Sequence, residues 1–124
     1  MPTRKQLAPQ TFTLAYPPSA NHYWRMARGH IHKSNEARAY QNMAALTARI
    51  AGVKPLQGSV GVTIQVYRPA KRGDLDNCLK VCLDALKGIA YADDKQIIEI
   101  NALRHEDAKN PRVVVTLVEI EERK

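Results

Sequence analysis

From Gly58 to Tyr67 the chain alternates without a break, Val60, Val62, Ile64 and Val66 falling on one side and Ser59, Thr63, Gln65 and Tyr67 on the other. A period of two over that length is the pattern of a half-buried strand. The period then changes. After a short basic loop, Arg68-Pro69-Ala70-Lys71-Arg72-Gly73, an amphipathic helix is expected from about Leu75 to Lys87, with Leu75, Leu79, Cys82, Leu83 and Leu86 as its apolar stripe and Gly88 as its stop. A strand with one apolar face, followed directly by a helix with one apolar stripe, calls for a sheet with helices laid against it.

The rest of the chain supplies the other parts. Thr11 to Tyr16 alternates as a strand should and ends at Pro17-Pro18-Ser19. Ala20 to Lys33 reads as a polar, basic loop whose Tyr23, Trp24, Arg25, Arg28, His30, His32 and Lys33 suit stacking on bases and pairing with phosphates. Ser34 is the expected N-cap of a helix to about Ala51, with Ala37, Tyr40, Met43, Ala44, Thr47, Ile50 and Ala51 on one face and Gly52 after it. Gln96 to Arg104 and Arg112 to Ile120 both read as strands, and the polar turn between them makes a β-hairpin the simplest connection. The order β-α-β-α-β-β predicts an α/β (α+β) fold in one domain, a mixed sheet with two packed helices, and a loose arm over residues 1–9.

A chain of 124 residues suits one hydrophobic core. Its formal charge of +7 favours a polyanionic partner, nucleic acid first, although part of such charge can serve only solubility. Cys78 and Cys82 lie four apart on the second helix and are expected to be buried or half-buried thiols; with His22, His30, His32 and His105 they lack the spacing of a zinc site. No signal-peptide core and no membrane-spanning run is visible, so a cytoplasmic protein without a membrane partner is expected.

The chemistry concentrates in Arg72-Gly73-Asp74-Leu75-Asp76-Asn77-Cys78-Leu79-Lys80. Leu75 belongs to the core stripe, so Asp74 and Asp76 flank it at the first helical turn, where either can act as a cap. One cap does not account for both, nor for Asp93-Asp94 before the next strand. Hard oxygen ligands in this number suit Mg²⁺ or Mn²⁺. Spacing alone does not establish that they converge, because a helix running antiparallel to the following strand sets Asp94 beside the helix's far end. Lys80, four residues after Asp76, is placed either for a surface salt bridge or to project toward a reacting phosphate.

The run from Arg72 to Asn77, continued by Lys80, Asp84-Ala85-Leu86, Gly88-Ile89, Tyr91-Ala92-Asp93-Asp94 and Gln96-Ile97, resembles the signature of the RusA family of Holliday junction resolvases. Pro17-Pro18-Ser19 with Asn21, Tyr23, Trp24 and Arg25 resembles that family's N-terminal motif. The resemblance implies an endonuclease domain over residues 1–124, working as a homodimer with Mg²⁺ and nicking four-way junction DNA symmetrically. Its metal carboxylates fall on Asp74, Asp76 and Asp94 and its catalytic lysine on Lys80, and Asp93 is left an orienting role. Cys78, Cys82 and Lys95 depart from the family's usual residues without touching the implied ligands.

On this reading Mg²⁺ activates water for in-line attack on the phosphate and Lys80 stabilises the charge that develops. Arg25, Arg28, Arg68, Lys71 and Arg72 are the expected DNA contacts. A two-fold dimer would set two sites against two related strands of the junction. Two rival readings remain at this point: a non-catalytic dimeric DNA-binding module whose carboxylates cap helices, and a nuclease for flaps or other branched DNA.

Overall fold

A computed structural model describes residues 3–6, 8–69 and 75–123. In chain order it contains β1 (Thr3–Gln6), β2 (Gln10–Ala15), α1 (Ala20–Tyr23), β3 (Trp24–Ala27), β4 (His30–Lys33), α2 (Asn35–Ile50), β5 (Ser59–Arg68), α3 (Leu75–Leu86), a 3₁₀ turn (Asp94–Gln96), β6 (Ile97–Glu106) and β7 (Arg112–Arg123). The expected order β-α-β-α-β-β is present, carried by β2, α2, β5, α3, β6 and β7. Residues 3–6, expected as part of a loose arm, form a strand paired antiparallel with the end of β7.

β5 is central because both of its edges are used. It pairs in parallel with β6 and antiparallel with β7, while β1 and β2 share the far edge of β7. The sheet is therefore mixed, as expected. The expected hairpin between the last two strands is not formed, because β5 lies between β6 and β7. The link from Glu106 to Arg112 needs to cross only two strand spacings, roughly 10 Å, which a handful of residues covers easily. A parallel pair such as β5 and β6 instead needs a crossover, and α3 supplies it.

Val60, Val62, Ile64 and Val66 are all buried, sharing one face of the sheet with Phe12 and Leu14 of β2 and Val113, Val115 and Leu117 of β7, and the helices pack on that face to close one core. α3 buries Cys78, Val81, Cys82, Ala85 and Leu86, while Leu75, Leu79 and Leu83 are half-buried on its flank. The stripe is turned from the expected one because small residues allow the closest approach where a helix meets the sheet and other helices together. α2 likewise buries Ala37, Tyr40, Ala44 and Ala48. Ile50, two residues past Ala48 and so about 200° round the helix, is 78% exposed.

The segment expected as a loop is ordered. Ser19 caps α1, and β3 and β4 form a hairpin whose two-residue turn, Arg28-Gly29, has φ of 53° and 77°. Two adjacent positive φ values are the geometry of a turn that matches strand twist, and Gly29 meets it without strain. Ser34 then caps α2, accepting from Ala37 N at 3.0 Å and donating to the carbonyl of His22, so α1 and the start of α2 are joined at one residue.

Candidate active site

α3 and the residue that follows it set four charged residues at intervals of three or four: Asp76, Lys80 and Asp84 within the helix and Lys87 just past its end. Lys80 Nζ lies 3.6 Å from Asp76 Oδ2, and Lys87 Nζ lies 3.9 Å from Asp94 Oδ2. The two lysines are two helical turns apart, roughly 10 Å of rise. Asp76 is thus at the first turn of α3 and Asp94 beside its far end, the separation that an antiparallel helix and strand impose. Asp74, Lys71 and Arg72 lie outside the described residues.

Asp93 has a defined task. Its side chain accepts from Lys95 N at 2.9 Å, and Gln96 Oε1 accepts from Asp93 N at 3.0 Å, a reciprocal capping box that fixes the turn carrying Asp94. Gln96 Nε2 also donates to the carbonyls of Leu56 and Gly58, at 2.8 and 3.0 Å, tying that turn to the chain entering β5. What the geometry gives Asp93 is a capping role in the turn that precedes β6.

Lys80, Asp84 and Asp94 line a cavity of about 470 Å³ with Trp24, Leu83 and Ile100. Asp84 also joins three other elements to α3: its Oδ2 accepts from Tyr23 Oη at 2.6 Å and from Gln41 Nε2 at 3.4 Å, and lies 3.0 Å from Lys33 Nζ. Burial first, and then the bond to Asp84, push the Tyr23 hydroxyl far above its ordinary pKa, so it remains a donor. Sequence reasoning gave Asp84 no role; its signal was an acid between Leu83 and Ala85, one turn after Lys80.

A family model described as Endodeoxyribonuclease RusA matches residues 15–118. The chain belongs to the RusA family of endodeoxyribonucleases. Among its relatives is the crossover junction endodeoxyribonuclease RusA of Escherichia coli (strain K12), 34% identical over 113 residues that cover 89% of this chain and 94% of the relative. The protein of the same name from Shigella sonnei (strain Ss046) is 33% identical over the same shares. That of Enterobacteria phage 82 is 33% identical over 111 residues, 87% of this chain and 92% of the relative. RusA-family membership makes the chain an endodeoxyribonuclease, an enzyme that hydrolyses DNA phosphodiester bonds.

For that chemistry the exposed carboxylates of Asp76 and Asp94 are suitable hard donors for a divalent cation. Among the described residues of one chain, however, no three His, Cys, Asp or Glu side chains come together as a metal-holding group. Arg25 and Arg28, expected to touch DNA, are exposed on the β3–β4 hairpin. Arg68, expected among the same contacts, is only 7% exposed and pairs with Glu106 at 3.2 Å, which makes it an internal anchor between β5 and β6. No helix among the described residues is long and apolar enough to cross a membrane.

Proposed function

We propose that this RusA-family chain resolves four-way DNA junctions by paired nicks, acting as a homodimer in the cytoplasm during recombination and repair. The observation that carries the reading is the shared cavity of Lys80 and Asp94 beside the α3 turn that holds Asp76, in a chain whose relatives are named crossover junction endodeoxyribonucleases. A net charge of +7 suits the dense phosphates of a junction. β6, at the sheet edge, exposes Ile98, Ile100 and Leu103, apolar surface available to a second copy.

Asp74, Asp76 and Asp94 are the proposed ligands of Mg²⁺, or of Mn²⁺ in its place. Since Asp76 and Asp94 stand toward opposite ends of α3 in the single chain, both reach one ion only if the turn carrying Asp94 moves toward the helix start or the second copy of the homodimer supplies one of them. When bound, the ion supplies Lewis acidity toward the phosphate and acidifies its water. Lys80 places a compact ammonium against the phosphate oxygens as negative charge builds on them. Arg25 and Arg28, with Lys71 and Arg72, hold neighbouring phosphates and fix the strand's register.

Cleavage of labelled four-way junction, flap, duplex and single strand, with Mg²⁺, Mn²⁺ or chelator, tests this directly. Metal-dependent paired cuts in the junction alone are expected; equal cutting of flaps would make it a general branch nuclease, and binding without cutting a DNA-binding module. Asp74→Asn, Asp76→Asn and Asp94→Asn should each abolish cutting and leave junction binding, and full activity in any one removes that residue from the site. Replacing Lys71 and Arg72 with Ala should flatten the salt dependence of binding by roughly 0.9 in log-log slope for each phosphate that is no longer neutralised.

A further inference from the structure

A second cavity, of about 490 Å³, lies on the other side of Trp24 and Lys80 from the one that holds Asp94. Trp24 and Lys80 are common to both, so the two cavities form a trough with the lysine at its middle. The far half is lined by Asn21, Arg25, Met26, Ile31 and Asn77. We propose that this half receives one DNA base extruded at the branch point, stacked on Trp24, so that the phosphate beside it comes to rest at Lys80. The proposal rests on the junction reading above and names what that site takes hold of.

The walls have the three chemistries that a nucleotide presents together. An indole face and the Met26 and Ile31 side chains suit the base's flat faces, the exposed amides of Asn21 and Asn77 suit its hydrogen-bonding edge, and Arg25 and Lys80 suit its phosphates. The volume lies in the range of small-molecule sites. The platform is also rigid before DNA arrives. Trp24 packs edge-on against Tyr23, ring centres 4.7 Å apart, and Tyr23 is fully buried with its hydroxyl bound to Asp84. A ring held this way needs no ordering when a base stacks on it.

The hairpin supplies the means of extrusion. Met26 and Ile31 are direct partners across β3 and β4, and they are 72% and 69% exposed. Around them the hairpin exposes the cations Arg25, Arg28 and Lys33. An apolar pair on a cationic support is the arrangement with which proteins enter and unstack base steps, phosphate attraction bringing the wedge to the helix. A base at a branch point has already lost stacking on one side, so taking it out costs less than it would inside a duplex.

Junctions carrying a single iodouracil at successive positions round the branch point, bound to wild-type protein in chelator and irradiated, test the pocket. Cross-linking to Trp24 or Met26 is expected from one position per cut strand, and none from the same label inside a duplex arm. The Met26→Ser/Ile31→Ser variant changes only exposed side chains. It should bind the junction within about threefold of wild type and cut about tenfold more slowly in a single turnover, and a mismatch at the cross-linking position should restore a large part of its rate, the remainder being the contact that Met26 and Ile31 make as pocket walls. Trp24→Ala should be slow with or without the mismatch, and Trp24→Phe, which keeps a ring against Tyr23, should recover part of the rate. Junction binding without a cross-link to either residue, or wild-type cutting by the wedge variant, overturns the pocket and leaves the proposed function standing. Absence of junction binding by wild type overturns both.

Discussion

Lys80 belongs to two arrangements at once: an ion pair with Asp76 one turn earlier and the wall common to both halves of the trough. Its side chain is 62% exposed and that of Asp76 70%, so the pair sits in water and adds little to the fold. Lys80→Ala should cost about 0.3–0.5 kcal/mol in denaturant unfolding. The same change should lower the single-turnover cleavage rate about tenfold or more at saturating Mg²⁺, with junction affinity nearly unchanged. Lys80→Arg separates charge from shape. It keeps the cation but sets a planar fork where the proposed reaction uses a compact ammonium, so it should bind junctions normally and cut them poorly. Near-normal cutting by the Ala variant would leave Lys80 as a surface ion-pair partner only.

Ser34 is where two elements depend on one hydroxyl. Its oxygen accepts the Ala37 N–H that opens α2, its proton goes to the carbonyl of His22, and its own N–H donates to the carbonyl of Tyr23 at 2.9 Å. Losing an N-cap of this kind costs typically about 1 kcal/mol, and leaving the His22 carbonyl without its donor adds about as much again. Ser34→Ala should therefore destabilise by about 1–2 kcal/mol, read from the denaturation midpoint. Ser34→Gly divides the loss. Glycine is nearly as good at the cap position, so what it still loses is the link to α1. Equal stability of the Gly variant and wild type would mean that the His22 bond contributes nothing.

At the scale of the whole molecule, buried tyrosines couple the fold to alkaline pH. Burial raises Tyr16, Tyr23, Tyr40 and Tyr91 above their ordinary value, helped by Asp84 at Tyr23, by Cys82 at Tyr40 and by Asp94 at Tyr91. A group whose folded pKa is raised keeps its proton when the unfolded chain has lost its own. Its contribution is complete below the unfolded value, about 10, and declines as pH rises past it. Stability should therefore hold to about pH 9 and then fall, each proton retained by the buried Tyr23, Tyr40 and Tyr91 adding up to about 1.4 kcal/mol per pH unit to the slope and the more exposed Tyr16 less. Tyrosinate absorbance from these rings should appear together with loss of near-ultraviolet dichroism, and Tyr23→Phe should make the decline shallower. Ionisation of all the tyrosines near pH 10 in a chain that stays folded would contradict this account.

What the sequence determined by itself was whatever is decided within a few residues of backbone. The alternation of β5 set which of its faces is buried, and Ser34, Gly52 and Gly88 marked helix limits that the structure keeps within a residue or so. The acids at Asp76 and Asp94 stand out in the sequence as more than a single cap needs, while their assignment to a metal, and that of Lys80 to catalysis, rest on the resemblance to the RusA family. Tertiary structure alone decided the rest. β5 lies between β6 and β7 and β7 between β5 and β2, so that both of these apolar strands have the hydrogen-bonding groups of both edges paired. The same packing turned α3 toward its small residues, ordered the hairpin that carries Trp24, and made Asp84 the joint between α3, α1, β4 and α2. It also set Asp76 and Asp94 toward opposite ends of α3. Long-range burial and edge pairing act between segments that no local window contains, and for that reason periodicity and capping residues could not announce them.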